Sequence, residues 1–412
     1  MSATLGGARD GALSVLHVLA PAPAGGLERV VRALARGQAS RGQTVTVAAV
    51  IQPPSPASPA SADANARALE GLRSPGVTIV PVVVPGRGYG QERRQILAIA
   101  EQCAAHVAHT HGYRPDVVDA GPLRAAGLPT VTTVHGFTGG GWRNRLYERL
   151  QRRAFRRFDA VVAVSEPMAR QLAASGVPVP RLHMIPNAYA AAAPPLARDA
   201  ARAALGISGA TWVVGWVGRL SHEKGLDVMI DAMAVWREPS ATLAVIGDGR
   251  ERTRLEAHAR DRGVASAIRW LGLVPEAGTL YRAFDVFALS SRTEGTPIAL
   301  FEAMDAGVPI VAASVGGVPA VVSPAEALLV PPGHPAALAD ALRAVQGDPR
   351  GAAERAASAR RRLAATFTVD PWIDRYDLVY RNLLSDVGVR PGPARPGTDR
   401  VTVGGGGARD GR

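Results

Sequence analysis

The chain has 412 residues, of which 47% are hydrophobic and 5% aromatic, and a formal net charge of +12; this length favours two domains over a single core. Its one cysteine, Cys103, excludes an intrachain disulfide framework and is typical of a reducing cytosol. The few aromatic residues and the arginines spread along helices argue against nucleic acid as a partner, and no apolar run reaches the about 18 residues that a membrane-spanning helix needs.

The first half of the chain alternates apolar runs with amphipathic segments, which predicts strands and helices in turn. Residues 12–24 also imitate a secretory signal, but His17 interrupts the apolar run and the pair Gly25-Gly26 opens a helix directly afterwards. We therefore expect 15–19 to be the first strand of a sheet. The later strands of this half are predicted at 44–51, 77–84, around Val107, at 130–134 and at 160–164.

Polar side chains follow two of these strands. His111, Tyr113 and Arg114 come after the strand around Val107, and His135 follows the next strand. Because α/β proteins bind ligands at the carboxyl ends of their strands, these side chains predict a polar pocket. His109 and His111 share one strand face, but no Cys or carboxylate at ligand spacing completes a metal site. We predict a pocket of His111, Tyr113 and Arg114 and no bound metal.

A basic amphipathic helix is predicted over residues 142–158. Leu146, Leu150, Ala154 and Phe158 recur every four residues, and arginines occupy the other face. Such a helix suits the surface of an anionic membrane. A solvated face over an ordinary core stripe explains the same pattern equally well.

The second half repeats the alternation of strands and helices. Two cations, Arg219 and Lys224, follow the first strand of this half, where helix N–H groups and positive charge together favour a diphosphate. Paired surface cations are also common, so the pattern alone leaves both explanations open. The predicted strands are 212–217, 242–246, 268–271, 285–289, 310–313 and 327–330, and the last predicted helices are 334–345, 352–367 and 376–384.

Two carboxylates, Glu294 and Glu302, lie after the predicted strand 285–289. Thr296 is a good N-cap and Pro297 suits the first helical position. We therefore expect Glu294 on the loop at the end of the strand and Glu302 in the second helical turn, facing the same crevice.

Together these motifs resemble family 4 of the retaining glycosyltransferases, which have the GT-B fold. The resemblance implies an α/β protein of two Rossmann-like domains, whose parallel sheets face an interdomain cleft. It covers residues 13–385 and rests on these segments: Gly25-Gly26-Leu27-Glu28-Arg29, His109-Thr110-His111-Gly112, His135-Gly136, Ser165-Glu166, Ile185-Pro186-Asn187, Gly218-Arg219 to Lys224-Gly225, and Glu294 to Glu302.

The resemblance also implies a role for each site residue. The catalytic set comprises His135 at the transferred sugar, Arg219 and Lys224 at the diphosphate, and Glu294 at sugar hydroxyls. The other donor contacts are backbone groups of Gly26, Gly295, Thr296 and Pro297, the carboxylate of Glu302 at the ribose, and the segment around Val274 along the base.

The expected domain order follows from this resemblance together with the small-residue composition of the linker and the Pro-, Gly- and Arg-rich composition of the tail. A disordered N-terminus (1–12) precedes an acceptor-binding domain (13–190), a linker (191–206) and a nucleotide-sugar-binding domain (207–367). A C-terminal helix (368–387) returns to the first domain, and a disordered tail (388–412) ends the chain.

The expected activity is transfer of a sugar, with retention and without a metal or cofactor, from a nucleotide-diphosphate sugar to a glycan, lipid or small-molecule acceptor. The expected location is the cytoplasm, with 142–158 a candidate contact to the inner membrane face. A nucleotide-sugar epimerase or hydrolase of the same fold and a non-catalytic nucleotide-sugar-binding scaffold are the alternatives.

Overall fold

The computed structural model describes residues 12–22, 26–54, 60–136, 142–191, 193–208 and 211–386. These residues form two parallel sheets, one of seven strands in the first half and one of six in the second. In both sheets the chain starts near the middle, adds strands to one side and then crosses to the other. The strand orders are β3-β2-β1-β4-β5-β6-β7 and β10-β9-β8-β11-β12-β13.

Most strands are apolar along their whole length because helices cover both faces of a parallel sheet. The strands of the first sheet are β1 Ser14–Leu19, β2 Thr44–Ile51, β3 Val77–Val83, β4 Val107–His111, β5 Thr130–Val134, β6 Ala160–Ala163 and β7 Leu182–Met184. Those of the second are β8 Trp212–Val217, β9 Ala241–Ile246, β10 Ile268–Gly272, β11 Val286–Leu289, β12 Ile310–Ala313 and β13 Leu328–Val330.

The connecting helices place their apolar faces on these sheets. Around the first sheet they are α1 Gly26–Ser40, α2 Ala60–Glu70, α3 Tyr89–Gln102, α4 Tyr113–Val118, α5 Ala120–Ala125, α6 Trp142–Phe155 and α7 Glu166–Ala174. The remaining helices are α8 Arg198–Ala204, α9 Leu226–Trp236, α10 Arg252–Asp261, α11 Ile298–Ala306, α12 Val318–Val321, α13 Pro335–Gly347, α14 Pro349–Thr366 and α15 Val369–Asp386. Short 3-10 turns lie at Val179–Arg181, His222–Lys224, Ala265–Ala267 and Ala277–Ala283.

Helix α15 returns to the first sheet. Its buried Trp372, Tyr376 and Tyr380 share one apolar core with Leu13 and Val15 at the start of β1. This is the place where the sequence analysis expects the C-terminal helix. The predicted disordered segments 1–12 and 388–412 lie outside the described residues, apart from residue 12.

The predicted linker 191–206 includes helix α8, which belongs to the second domain. Ala201 and Leu205 are buried in a core shared with Phe284 and Phe301. The sequence indicates a charged helix at the end of this tract, but alanines without a wide apolar stripe do not show which core it joins.

The basic helix ends earlier than predicted, at Phe155 instead of residue 158. Leu146, Tyr147 and Leu150 on its surface are 46%, 42% and 42% exposed. None of the helices in the described residues combines the length and apolar character required to cross a bilayer.

Candidate active site

Lys224 and Glu294 meet at the carboxyl edge of the second sheet. Lys224 ends the 3-10 turn after β8, and Glu294 lies on the loop after β11. The Lys224 Nζ donates to both carboxylate oxygens of Glu294, at 2.7 and 2.9 Å. The Ser291 hydroxyl donates to the same carboxylate at 2.6 Å, and the Glu294 side chain is only 6% exposed. The predicted diphosphate cation and the predicted sugar-binding carboxylate therefore form one ion pair.

Lys224 is also the only lysine of the chain; every other member of the 47 Lys and Arg residues is an arginine. A lysine ammonium is a compact point charge, whereas a guanidinium is a broad planar fork. The site therefore has a cation unlike any other in the molecule.

Arg292 fastens the two loops that carry this pair. Its guanidinium binds both oxygens of Asp227 at 2.8 Å and donates to the carbonyl of His222 at 2.9 Å. Burial raises the pKa of Asp227, but the hydrogen bonds and charge of Arg292 outweigh it and leave the pKa below its usual value. This pair is not predictable from the sequence, because an arginine and an aspartate 65 residues apart carry no local signal.

A close backbone contact completes the junction. A Cβ at Gly225 would lie 2.2 Å from the carbonyl oxygen of Ser290, and the φ of Gly225 is +63°. Only glycine fits this left-handed, crowded position. The Ser290 hydroxyl also donates to the Gly225 carbonyl at 2.8 Å.

Glu302 lies in the second turn of α11, and its carboxylate is held from both domains. The Tyr281 hydroxyl donates to Oε2 at 2.8 Å, and Arg29 of α1 forms an ion pair with Oε1. Burial raises the pKa of Glu302, although the charge of Arg29 opposes this shift. Gly278 packs so closely that a Cβ there would lie 2.7 Å from Oε1. The Glu302 carboxylate, which is expected to accept hydrogen bonds from the ribose, is therefore tightly enclosed. Arg29 is its partner from the opposite domain.

The loop at Gly295 and Thr296 touches the first domain directly. A Cβ at Gly295 would lie 2.3 Å from the carbonyl oxygen of His135. The Thr296 hydroxyl donates to the carbonyl of Val164 at 2.8 Å. The predicted N-cap role of Thr296 is thus wrong: α11 begins at Ile298 with Pro297 at the N-cap position and no side-chain cap. The Thr296 hydroxyl bonds across the cleft instead.

Other predicted donor contacts lie along the same cleft. Gly26 opens α1, where a Cβ would be 3.7 Å from Ile298 at the start of α11. Val274 is partly buried against the core of the second domain. Arg219 is exposed, and within the described residues no hydrogen bond or ion pair joins its guanidinium to another residue. The structure therefore brings Lys224, but not Arg219, into contact with Glu294.

His135 follows β5, beside the cleft. Its Nε2 is buried and has no hydrogen-bond partner among the described residues. Burial lowers the pKa of His135 to about 4, so the imidazole is neutral at physiological pH. A neutral, unpartnered nitrogen can hydrogen-bond a ligand without adding charge.

The predicted acceptor pocket divides into two parts. Arg114 binds both oxygens of the buried Glu92 at 2.6 to 3.0 Å and donates to the carbonyl of Gly86 at 3.1 Å. Its guanidinium is therefore hydrogen-bonded within the first domain. Tyr113 lies with its ring 4.9 Å from the ring of Tyr147, at the surface of α4 and α6. Tyr113 and Tyr147 therefore form an aromatic surface at the sheet edge. Arg114 instead stabilises the first domain through its contacts with Glu92 and Gly86.

His111 belongs to a buried cluster with His17 and His109. The possible ligand atoms of the three imidazoles lie within 4.8 Å of one another, the one such group that the described residues contain. Five of the six ring nitrogens already hydrogen-bond to protein groups. A metal ion would have to displace those bonds, so the cluster fits a hydrogen-bonded network better than a ligand set.

Two family models together cover most of this fold. Residues 24–191 match the model for Glycosyltransferase Family 4, and residues 197–362 match the model for glycosyl transferases group 1. Two facing domains with parallel sheets and a site between their carboxyl edges define the GT-B class. The chain belongs to the group 1 glycosyltransferases.

Similar proteins include a 2-deoxystreptamine glucosyltransferase from Streptomyces kanamyceticus, 31% identical over 61% of this chain and 70% of the relative. A D-inositol 3-phosphate glycosyltransferase from Corynebacterium urealyticum is 37% identical over 37% of this chain. The chain spans 38–43% of the length of this relative and two others of the same description. Among solved structures, Anabaena Alr3699/HepE in complex with UDP-glucose has a TM-score of 0.76 at 21% identity, covering 90% of this chain and 100% of that one.

Proposed function

We propose that this chain is a retaining, metal-independent glycosyltransferase that uses a nucleotide-diphosphate sugar as donor. The observation that carries the proposal is the pairing of the only lysine, Lys224, with Glu294, close to the contact between Gly295 and His135. Glu302 enters the same cleft from α11. The site therefore offers the Lys224 ammonium for a diphosphate and two carboxylates for hydroxyl groups.

The ion pair supports an exchange of partners when the donor binds. The Lys224 ammonium moves from Glu294 to the diphosphate, and the freed Glu294 carboxylate accepts hydrogen bonds from sugar hydroxyls. During transfer the bond from the anomeric carbon to the phosphate oxygen breaks, and the acceptor oxygen bonds to that carbon. The acceptor proton passes to the departing phosphate oxygen. Lys224 offsets the negative charge that grows on the diphosphate, which is the largest stabilising contribution expected at such a site.

Retention of the sugar configuration is a further part of the proposal, and it requires front-face attack if Glu294 is not a nucleophile. Lys224 and Ser291 hold its carboxylate at the diphosphate loop, so we assign it to hydroxyl binding and not to nucleophilic attack. The acceptor then attacks from the face that the diphosphate leaves. The stereochemistry of the product, read from the anomeric proton coupling by NMR, tests this assignment; an inverted product would contradict it.

The single lysine provides the sharpest test of donor binding. Protein labelled with [15N]lysine contains one labelled side chain, at Lys224, so its ammonium signal reports on this site alone. We expect UDP-, GDP- or ADP-sugars to shift that signal when they bind. The same screen by thermal unfolding should show stabilisation of about 2.7 kcal/mol at a ligand concentration of 100 times Kd. No shift and no stabilisation with any nucleotide would end the proposal.

UDP-glucose is the first donor to test, because Alr3699/HepE is described in complex with it. The relatives are named for transfer to D-inositol 3-phosphate and 2-deoxystreptamine, which supports a polyhydroxylated small molecule as one acceptor class. Glycans and lipid-linked sugars are the other classes to screen. Lys224→Ala should lower kcat by about 10²- to 10³-fold, as the loss of one preorganised charge contact does elsewhere. Glu354→Gln, an exposed change on α14, is the matched control.

Metal independence is a separate part of the proposal. If Lys224 supplies the charge that a divalent ion supplies in other transferases, EDTA should leave the rate unchanged. Loss of activity in EDTA that returns with Mg²⁺ or Mn²⁺ would contradict it. Rapid release of nucleotide or of an epimerised sugar without any acceptor would favour the epimerase or hydrolase alternative. Wild-type function after Glu294→Ala would favour the scaffold.

Helix α6 supports a cytoplasmic, peripheral membrane location. Leu146, Tyr147 and Leu150 are exposed next to the exposed Arg149 and Arg153. Apolar side chains flanked by arginines bind anionic lipid surfaces, and salt weakens that binding. Sedimentation with phosphatidylglycerol vesicles should fall when Arg149 and Arg153 become Gln. The control replaces two exposed arginines of α14, at 360 and 361, and equal loss in both variants would count against a specific surface.

A further inference from the structure

Gln38 lies at the centre of a buried hydrogen-bond network in the first domain. It is fully buried on α1. Its side-chain oxygen lies 2.7 Å from Nε2 of His17 on β1, and its side-chain nitrogen donates to the hydroxyl of Tyr380 on α15 at 3.4 Å. An amide has one acceptor end and one donor end, so its orientation determines the direction of every bond that follows.

The acceptor end of Gln38 determines the tautomers of two histidines. A carbonyl oxygen only accepts, so His17 Nε2 carries the proton. Burial lowers the pKa of His17 to about 4, and its ring is therefore neutral with a bare Nδ1. His111 Nε2 lies 3.0 Å from that Nδ1 and must donate to it. Burial also lowers the pKa of His111 well below its usual value, so the ring is neutral and Nδ1 is left as a lone pair.

The donor end of Gln38 determines the rest of the network in the same sense. Tyr380 accepts from Gln38 and donates its hydroxyl proton to His109 Nδ1 at 2.7 Å. His109 Nε2 then donates to the Thr133 hydroxyl at 2.8 Å, which donates to Tyr376 at 3.1 Å. Each group before Tyr376 donates one proton and accepts one, and the leftover proton is the one on the Tyr376 hydroxyl, which has no acceptor among the described residues.

The reversed network ends less favourably. Turning the Gln38 amide over would reverse each bond and place a proton on His111 Nδ1. That nitrogen is buried and has no hydrogen-bond partner among the described residues. An orphaned buried N–H is rare and costly, whereas a bare acceptor is tolerated more often. The observed orientation places its leftover proton on the Tyr376 hydroxyl, which can rotate, whereas a ring N–H is fixed in direction. The observed orientation is therefore the one that leaves a lone pair on His111.

The ring of His111 lies beside the ring of His135, the residue assigned to the transferred sugar. His111 ends β4 and His135 follows β5, the neighbouring strand. Their ring centroids are 5.8 Å apart, and the Nε2 of His135 is the second buried ring nitrogen without a partner there. Two adjacent unpartnered nitrogens at one sheet edge are suited to a ligand with several hydroxyl groups.

We propose that the Gln38 amide fixes His111 in the tautomer whose Nδ1 accepts a hydrogen bond from a sugar hydroxyl in the cleft. The inference rests on the proposed function for the identity of the ligand, but the tautomer follows from the protein alone. His111 is then a binding residue, and Gln38 and His17 are positioning residues that act through it.

The tautomer can be measured without any substrate. In long-range 1H–15N spectra of [15N]histidine-labelled protein, His17, His109 and His111 should all appear as Nε2–H tautomers. A proton on Nδ1 of His111 would overturn the proposal. Gln38→Leu should convert His111 to a mixture of tautomers. The control is Gln43→Leu. It removes a 2.7 Å hydrogen bond to Asp377, which lies on α15 like the Tyr380 partner of Gln38, but Gln43 bonds to no histidine.

The ligand is tested with two His111 variants. An Asn oxygen approximates the position of Nδ1, whereas a Gln amide approximates the position of Nε2. His111→Asn should keep sugar recognition and His111→Gln should lose it by about 2- to 10-fold, the range of one neutral hydrogen bond. Calorimetry with UDP-glucose and with UDP separates the sources of the hydroxyl. If His111→Gln weakens the binding of UDP-glucose but not of UDP, the hydroxyl belongs to the donor sugar. If binding of both is unchanged but transfer is slower, the hydroxyl belongs to the acceptor.

Equal behaviour of the two variants in binding and transfer would refute the role of the lone pair. Absence of UDP-glucose and UDP binding in the wild type would instead count against the UDP donor, and the tautomer spectra would still decide the inference about Gln38.

Discussion

Gly295→Ala should separate the two domains without unfolding either one. The added Cβ would lie 2.3 Å from the carbonyl oxygen of His135 and 3.2 Å from a methyl group of Val164. Both neighbours belong to the first domain. Restoring ordinary contact requires the cleft to open by about 1 Å, and a misplacement of about 1 Å costs about 10²-fold in rate. This corresponds to about 2.7 kcal/mol in the activation barrier.

The assay is steady-state transfer with the donor and acceptor found in the screen, together with thermal unfolding. We expect kcat to fall by about 10²-fold while Tm changes little, because the three atoms nearest to the new methyl group all belong to the first domain. Gly347→Ala at the end of α13 is the control, since a Cβ there has nothing within 4 Å. A Gly295→Ala enzyme with wild-type kcat would show that the closed cleft is not the arrangement that reacts.

Three further changes address the groups around this loop. Asp227→Asn should lower stability by about 1 to 2 kcal/mol at neutral pH; because the folded pKa of Asp227 is depressed, the difference from wild type should disappear as pH falls below 3.8 in acid-unfolding curves. Glu302→Gln should raise Tm at pH 7 but not below pH 4.5, because a folded-state pKa raised by burial makes this carboxyl group destabilising above 4.5; a lower Tm at pH 7 would contradict this. Tyr281→Phe should cost about 1 to 3 kcal/mol in urea unfolding, since Oε2 of Glu302 loses its buried donor, with Tyr89→Phe as an exposed control.

The sheets were largely predictable from the sequence, because parallel strands that are covered on both faces consist of continuous apolar residues. The predicted bounds match the observed ones at Thr44–Ile51, Thr130–Val134, Trp212–Val217 and Ile310–Ala313. The missed strand, Leu182–Met184, is short and only partly buried at the sheet edge. Its residues lack the apolar run that identified the others.

The two halves of the site differ in how much of them a sequence can show. Lys224 and Glu294 each follow a strong strand, so the sheet edge alone predicts that they face one crevice. Thr296 was assigned to a helix cap because local chemistry favours that role. Its actual partner, the carbonyl of Val164, is 132 residues away in the other domain. Local rules cannot rank such a contact above the cap that it replaces.

The histidine network shows the same limit more sharply. From the sequence, His109 and His111 raise only the question of a metal, and His17 only the question of a signal peptide. The hydrogen bonds of these histidines depend on Tyr380, which is 271 residues from His109. They also depend on Gln38, whose amide bonds to both His17 and Tyr380. Because an amide has unlike ends, one residue on α1 determines which nitrogen of His111 is bare. The chemistry at the sheet edge is therefore decided by a side chain that no ligand touches.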